Sequence, residues 1–134
     1  ALALSDLTTI HQKTPIGRLS AYCGAVSAGA GAGAGIAYLN GADFETVIHT
    51  VCNAVAITSG MICDGAKASC AAKIAESVDA GILGYYMYKN GQQFVAGDGI
   101  VGKGIEKTLQ NVGRLARDGM KATNEEILQI MIEE

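Results

Sequence analysis

The side chains best suited to hold a soft metal or do thiol chemistry here are four cysteines, at positions 23, 52, 63 and 70. A thiolate is both a nucleophile and a soft ligand, so cysteine placement is the first thing to weigh. Cys23 is followed by Gly24, and Cys63 lies in the break between Gly60 and Gly65, so both stand where a backbone can bend around a bound group. Cys70 comes seven residues after Cys63, within the helix expected to follow. No pair has the CxxC spacing of a zinc site. On residue type and spacing, metal ligation and simple burial as small apolar side chains stand level for these thiols. Cys52 sits beside the Val47, Val51 and Val55 stripe and reads as a core thiol. An even cysteine count would also allow two disulfides, but the chain does not resemble a loop-rich secreted miniature. A reducing cytoplasm is the expected compartment.

Other patterns weigh less. Gly97, Gly99 and Gly102 fit the GxGxxG dinucleotide fingerprint. That motif works only between a strand and a helix of a βαβ unit, and no second strand is expected here. A turn using left-handed glycines, or a loop lying close to a small molecule, is the better reading. His49 falls off the valine stripe and reads as a surface or interface histidine rather than a ligand. The net charge of −3, with ten basic residues scattered along the chain, excludes the clustered Lys/Arg footprint of a nucleic-acid binder.

The elements that position these residues are helical. Thr14-Pro15 is a helix-start pair that opens a run over residues 16–39, closed by Asn40-Gly41. Within the run, Gly24, Ala28 and Ala32 recur every fourth residue, as do Ser27, Gly31 and Gly35. Interior glycine costs a helix about 1 kcal/mol against alanine, so only close packing on neighbours can offset the run's poor propensity. The pattern predicts a buried central helix. Residues 21–39 are nineteen uncharged positions, yet their Gly and Ala supply little hydrophobic drive and no cationic flank or aromatic belt accompanies them. A core helix is preferred to a membrane span. Asp43 is positioned to cap a helix over 44–58, another runs over 66–88 to Asn90-Gly91, and 92–104 is loop. A helix over 105–118 ends at Gly119. Thr123 and Glu126 form a capping box for a last helix that turns Ile127, Ile130 and Met131 inward. The expectation is an all-α domain of about five helices around the Gly/Ala-rich one. Only 17% of residues are charged, against roughly 25% in ordinary domains, so part of the surface is expected to meet another domain or subunit. The opening residues 1–7 read as the continuation of a longer chain.

The stretch Ser59-Gly60-Met61-Ile62-Cys63-Asp64-Gly65-Ala66-Lys67-Ala68-Ser69-Cys70-Ala71-Ala72-Lys73-Ile74 closely resembles the signature of the L-cysteine desulfidase family, a branch of the iron–sulfur L-serine dehydratase alpha-chain superfamily. Tyr22-Cys23-Gly24, the small-residue helix after it, Gly97-Asp98-Gly99-Ile100 and Asn111-Val112-Gly113-Arg114 resemble the same family, so the likeness covers nearly the whole chain. Enzymes of that family are much longer. The resemblance implies that this chain is their C-terminal, cluster-bearing part, with an N-terminal portion missing. It also implies a pyridoxal-free β-elimination at a [4Fe–4S] cluster. Three cysteines hold that cluster and leave one iron open as a Lewis acid, while a base removes the substrate's α-proton. L-cysteine would then give pyruvate, ammonia and sulfide, and L-serine pyruvate and ammonia.

Carried over by residue, the resemblance makes Cys23 and Cys63 cluster ligands. The third ligand is Cys70 or lies in the N-terminal portion. Asp64 and Lys67 either position substrate or act as a helix cap and a solvated lysine. No residue is assigned as the α-proton base. The Cys-Asp-Gly-Ala-Lys form favours the desulfidase branch over serine-specific chemistry. The implied partners are a small L-amino acid, the remainder of the chain and a second copy of it. If two ligands serve one cluster, the helices between Cys23 and Cys63 must form a hairpin that brings them together, while Cys52 points into the core. The competing expectation is a non-catalytic helical interaction module with structural thiols.

Overall fold

A computed structural model of the chain describes residues 1–133. It has six helices: α1 (Leu2–Ile16), α2 (Gly24–Leu39), α3 (Phe44–Thr58), α4 (Ser69–Lys89), α5 (Ile105–Arg114) and α6 (Lys121–Glu133), with a π-helical turn Leu115–Gly119 joining the last two. Among the described residues there is no strand, and the one β element is an isolated antiparallel bridge between Tyr22 and Ile62. The domain is all-α, as expected. No described helix is long and apolar enough to cross a membrane.

Helix α2 is the hub, packed against α1, α3 and α4. Its glycines explain how. A Cβ on Gly29 would stand 2.3 Å from the Ser77 backbone, and one on Gly33 would stand 2.7 Å from the Cα of Gly81. On the other side, a Cβ on Gly31 would lie 2.6 Å from the Ser5 carbonyl of α1. Backbone meets backbone, and the dispersion gained along these seams offsets the poor helix propensity of the sequence. Val26, Ala30, Ala34, Val51, Ala54 and Val55 fill the core between α2 and α3. Asn53, fully buried, donates to the Gly84 carbonyl of α4 and accepts from the Phe94 amide, tying the 92–104 loop to the bundle.

Several local signals hold. The Asp43 carboxylate caps α3 by accepting from the Thr46 amide at 2.9 Å. Gly41 and Gly91, both at φ 76°, follow the ends of α2 and α4. Others are corrected. Thr14-Pro15 does not start the central helix: it falls in the last turn of α1, which stops at Ile16 before Gly17 (φ 92°). Proline there withdraws the amide that would serve the His11 carbonyl, which weakens the last turn where the helix ends, and Thr14 satisfies its hydroxyl on the Ile10 carbonyl. The central helix begins only at Gly24, so α1 is an additional helix. Helix α4 starts at Ser69, three residues later than the expected 66. Thr123 lies inside α6, which begins at Lys121, and α6 buries none of its residues. Ile130 and Met131 are exposed and Ile127 is half-buried, because α6 packs chiefly on the π-helical turn rather than on the core.

Candidate functional site

Between α1 and α2 the chain runs extended, and between α3 and α4 it does so again. The two segments meet at the Tyr22–Ile62 bridge. The Cys23 amide donates to the Met61 carbonyl at 3.1 Å, and the Cys63 amide donates to the Ala21 carbonyl at 2.6 Å. This is the narrow, non-hydrogen-bonded type of antiparallel pair. Tyr22 and Ile62 therefore share one face, and side chains one residue further along point to the other. Cys23 and Cys63 lie on that second face as diagonal neighbours, a placement in which Cβ atoms stand about 7–8 Å apart or less. Helices α2 and α3, with their connecting turns, form the hairpin between them. Cys23 is buried in the main core cluster, and half-buried Cys63 packs against that same cluster. Cys23 is also the N-cap residue of α2.

Two further features surround this pair. The Tyr22 side chain is buried and its hydroxyl has no hydrogen-bond partner; burial first, and Cys23 second, push its ionisation well above the ordinary tyrosine range. On the far side of Cys63, the Asp64 carboxylate accepts from two lysines. Lys67 pairs with one oxygen, and Lys73 reaches the other at 2.7 Å while also donating to the Ile62 carbonyl at 2.8 Å. The arrangement joins two soft sulfur donors on one face to a small cationic cluster at one end. Thiols of this kind suit iron or another soft metal, and the cationic end suits a carboxylate.

A family model described as serine dehydratase alpha chain matches residues 1–129. The chain belongs to the serine dehydratase alpha chain family. Curated relatives include UPF0597 proteins of Desulfitobacterium hafniense, 62% identical over 132 residues, of Lachnoclostridium phytofermentans, 54%, and of Finegoldia magna, 52%. Each alignment covers 98% of this chain but only 31–32% of the relative. The chain thus spans about a third of the length of the curated relatives it matches. No solved structure matches.

In this serine dehydratase alpha chain domain the remaining sequence-predicted residues divide clearly. Cys70 is half-buried at the start of α4, where its sulfur accepts from the Lys67 amide and donates to the Gly65 carbonyl, each at 3.5 Å. It closes the turn over residues 65–70. Among the described residues no three of His, Cys, Asp and Glu converge as a metal-holding group. Asp64 is not a helix cap, since the N-cap of α4 is Ala68 with no side-chain cap bond. Lys67, though exposed, is paired rather than simply solvated. Cys52 is buried in α3, its thiol pushed up by burial and partly eased by Thr108. His49 is half-buried and stacks on Tyr88 with ring centroids 4.4 Å apart. The 97–102 glycines form a turn, with Gly97 at φ 104° and Gly99 at φ 59°, and Asp98 accepts from the Val95 amide at 2.7 Å.

Sequence reasoning missed Lys73. The signal available was helical spacing alone: residues 70, 73 and 77 follow one face of α4. That face grips the cysteine segment twice, since the buried Ser77 hydroxyl reaches the Met61 sulfur at 3.7 Å.

Proposed function

We propose that this chain is the C-terminal, cluster-holding part of a longer lyase. The lyase would carry out pyridoxal-free β-elimination on a small L-amino acid, L-cysteine in the desulfidase reading or L-serine in the dehydratase reading. The observation that carries the proposal is the meeting of Cys23 and Cys63 on one face of a two-segment bridge, although forty residues separate them. The donors fit an iron–sulfur cluster in kind, being free thiols on a rigid frame, but they supply two of the three ligands. Cys70 would have to leave its turn over residues 65–70 to become the third. A ligand from the remaining length of the protein requires no such rearrangement and is the preferred source. When bound, a [4Fe–4S] cluster with one open iron supplies Lewis-acid activation of the leaving group.

The chain's own residues have definable roles in this reading. The Cys23 and Cys63 sulfurs anchor the group against the core. Asp64 holds Lys67 beside the site, and the exposed Lys67 ammonium presents a cation to the substrate carboxylate. The α-proton base is assigned to the rest of the protein. A cytoplasmic, reducing setting keeps the thiols available.

Anaerobic iron and sulfide analysis of the full-length protein tests the reading, together with pyruvate release from L-cysteine and from L-serine. Cys23→Ser and Cys63→Ser should lose iron and activity together, since a hydroxyl is a poor substitute for a thiolate. Normal iron in both variants would end the assignment. A second reading, a non-catalytic helical module that docks a partner, is favoured by the apolar groove of about 290 Å³ among Leu4, Leu7, Phe44, Val47 and Ile105. A full-length protein that stays colourless and iron-free after reconstitution would select it.

A further inference from the structure

The segment bearing Cys63 is held on its two flanks by a single side chain. Lys73 projects from the second turn of α4, its side chain only 21% exposed, and its ammonium donates to the Ile62 carbonyl at 2.8 Å and to the Asp64 carboxylate at 2.7 Å. Residues 62 and 64 are the immediate neighbours of Cys63, so one cation pins the backbone before the cysteine and the side chain after it. The bridge completes the enclosure: the Cys63 amide is taken by Ala21 and the Cys23 amide by Met61. One turn further along α4, Ser77 donates to the Lys73 carbonyl at 2.8 Å and meets the Met61 sulfur. Ser77 is in turn backed by a close backbone seam against Gly29 of α2.

We infer that Lys73 is the positioning residue that fixes Cys63 diagonally across the bridge from Cys23, acting from both flanks of the cysteine. The reasoning is geometric. A connection outside helix or sheet, with glycines at 60 and 65, has many backbone states to lose, and a single bridge removes only some of them. Hydrogen bonds to a charged donor are the strong kind, and two of them from one ammonium constrain three consecutive residues at once. Lys67, on the other Asp64 oxygen, contributes to the carboxylate alone and touches no backbone of the segment. Lys73 is therefore distinct from Lys67: it orders the site, whereas Lys67 faces outward. The role in ligand holding rests on the cluster reading above, while the clamp itself does not.

The test uses the full-length protein and Lys73→Met, with Lys73→Gln as a second removal and Lys73→Arg as the conservative replacement. Amide hydrogen exchange at Cys63 and Cys23 in the iron-free protein is measured first, with α2 and α4 amides as internal controls. Loss of the clamp should raise exchange at Cys63 about tenfold or more, the scale set by bonds to a charged donor, while α2 and α4 keep wild-type protection. Anaerobic iron per chain should fall in Met and Gln, and Arg should restore both readouts. Wild-type exchange at Cys63 in Met and Gln overturns the inference, as does raised exchange with no rescue by Arg. If the wild-type protein takes up no iron, the cluster reading fails alone, and the exchange data still decide the clamp.

Discussion

Replacing Gly29 with alanine puts the central packing argument to its hardest test. The new methyl carbon would stand 2.3 Å from the carbonyl carbon and oxygen of Ser77 and 2.4 Å from its Cβ. Carbon atoms in contact prefer about 3.5–4.0 Å, so relief requires α2 and α4 to part by roughly 1 Å. The obstructing atoms are backbone, and no rotamer change removes them. Overpacking costs about 1–3 kcal/mol even where side chains can shift, and the upper end applies here. Helix propensity returns about 1 kcal/mol for Gly→Ala. The net loss should be about 2 kcal/mol, lowering a urea midpoint by about 1 M at an ordinary slope for a domain this size. Gly24→Ala is the control, since a Cβ there meets nothing within 4 Å and should be neutral or mildly stabilising. Urea titration followed by far-UV circular dichroism measures both. A Gly29→Ala protein as stable as Gly24→Ala would refute the idea that backbone-to-backbone contact holds α2 in place.

Other outcomes follow from individual side chains. Asn53→Ala leaves the Gly84 carbonyl and the Phe94 amide without their partner, and should cost about 2 kcal/mol and loosen the 92–104 loop in hydrogen exchange. Tyr22→Phe removes a buried hydroxyl that has no partner, so thermal unfolding should show equal or greater stability; a clear loss would mean the hydroxyl has one. Cys52→Ser should retain iron in the full-length protein and lose about 1 kcal/mol, because a hydroxyl is less at home than a thiol in that apolar site even beside Thr108. Asp43 is held below the usual carboxylate range, chiefly by its hydrogen bond with the Thr46 hydroxyl and then by the Thr46 amide. A lowered folded-state pKa stabilises the fold above the unfolded value of about 3.9 and the benefit is lost as pH falls through the folded value. Acid titration should therefore release the Thr46 amide below about pH 4, and Asp43→Asn should flatten that dependence.

What the sequence disclosed, and what it hid, follows from the range of the interactions involved. The Asp43 cap and the Asn40-Gly41 and Asn90-Gly91 stops are settled within a few residues, and local reading finds them. Thr14-Pro15 misled because proline suits a helix's first turn by propensity, while here the preceding residues were already helical and Pro15 fell near the end. α6 misled for another reason: its apolar residues look inward-facing, yet none of them is buried, although the tip of Met131 lies over Gly65. The approach of Cys23 to Cys63 has no periodic trace, since one bridged pair creates no pattern; the family resemblance made it foreseeable where spacing left it open. Lys73 stayed invisible because one of its acceptors is a main-chain carbonyl, which no side-chain motif records.

The Tyr22–Ile62 bridge closes a forty-residue loop, and closing a loop of that length costs about 3 kcal/mol of chain entropy. Helices α2 and α3 offset that cost through their own packing. Small metal-dependent domains that fold only around their ion must spend binding energy on organising themselves. Here the bridge and the packed helices set Cys23 and Cys63 on one face through the chain's own contacts. The energy that orders the two thiols is then that of the helix packing, so substitutions that loosen α2 against its neighbours should disorder the pair without touching either cysteine.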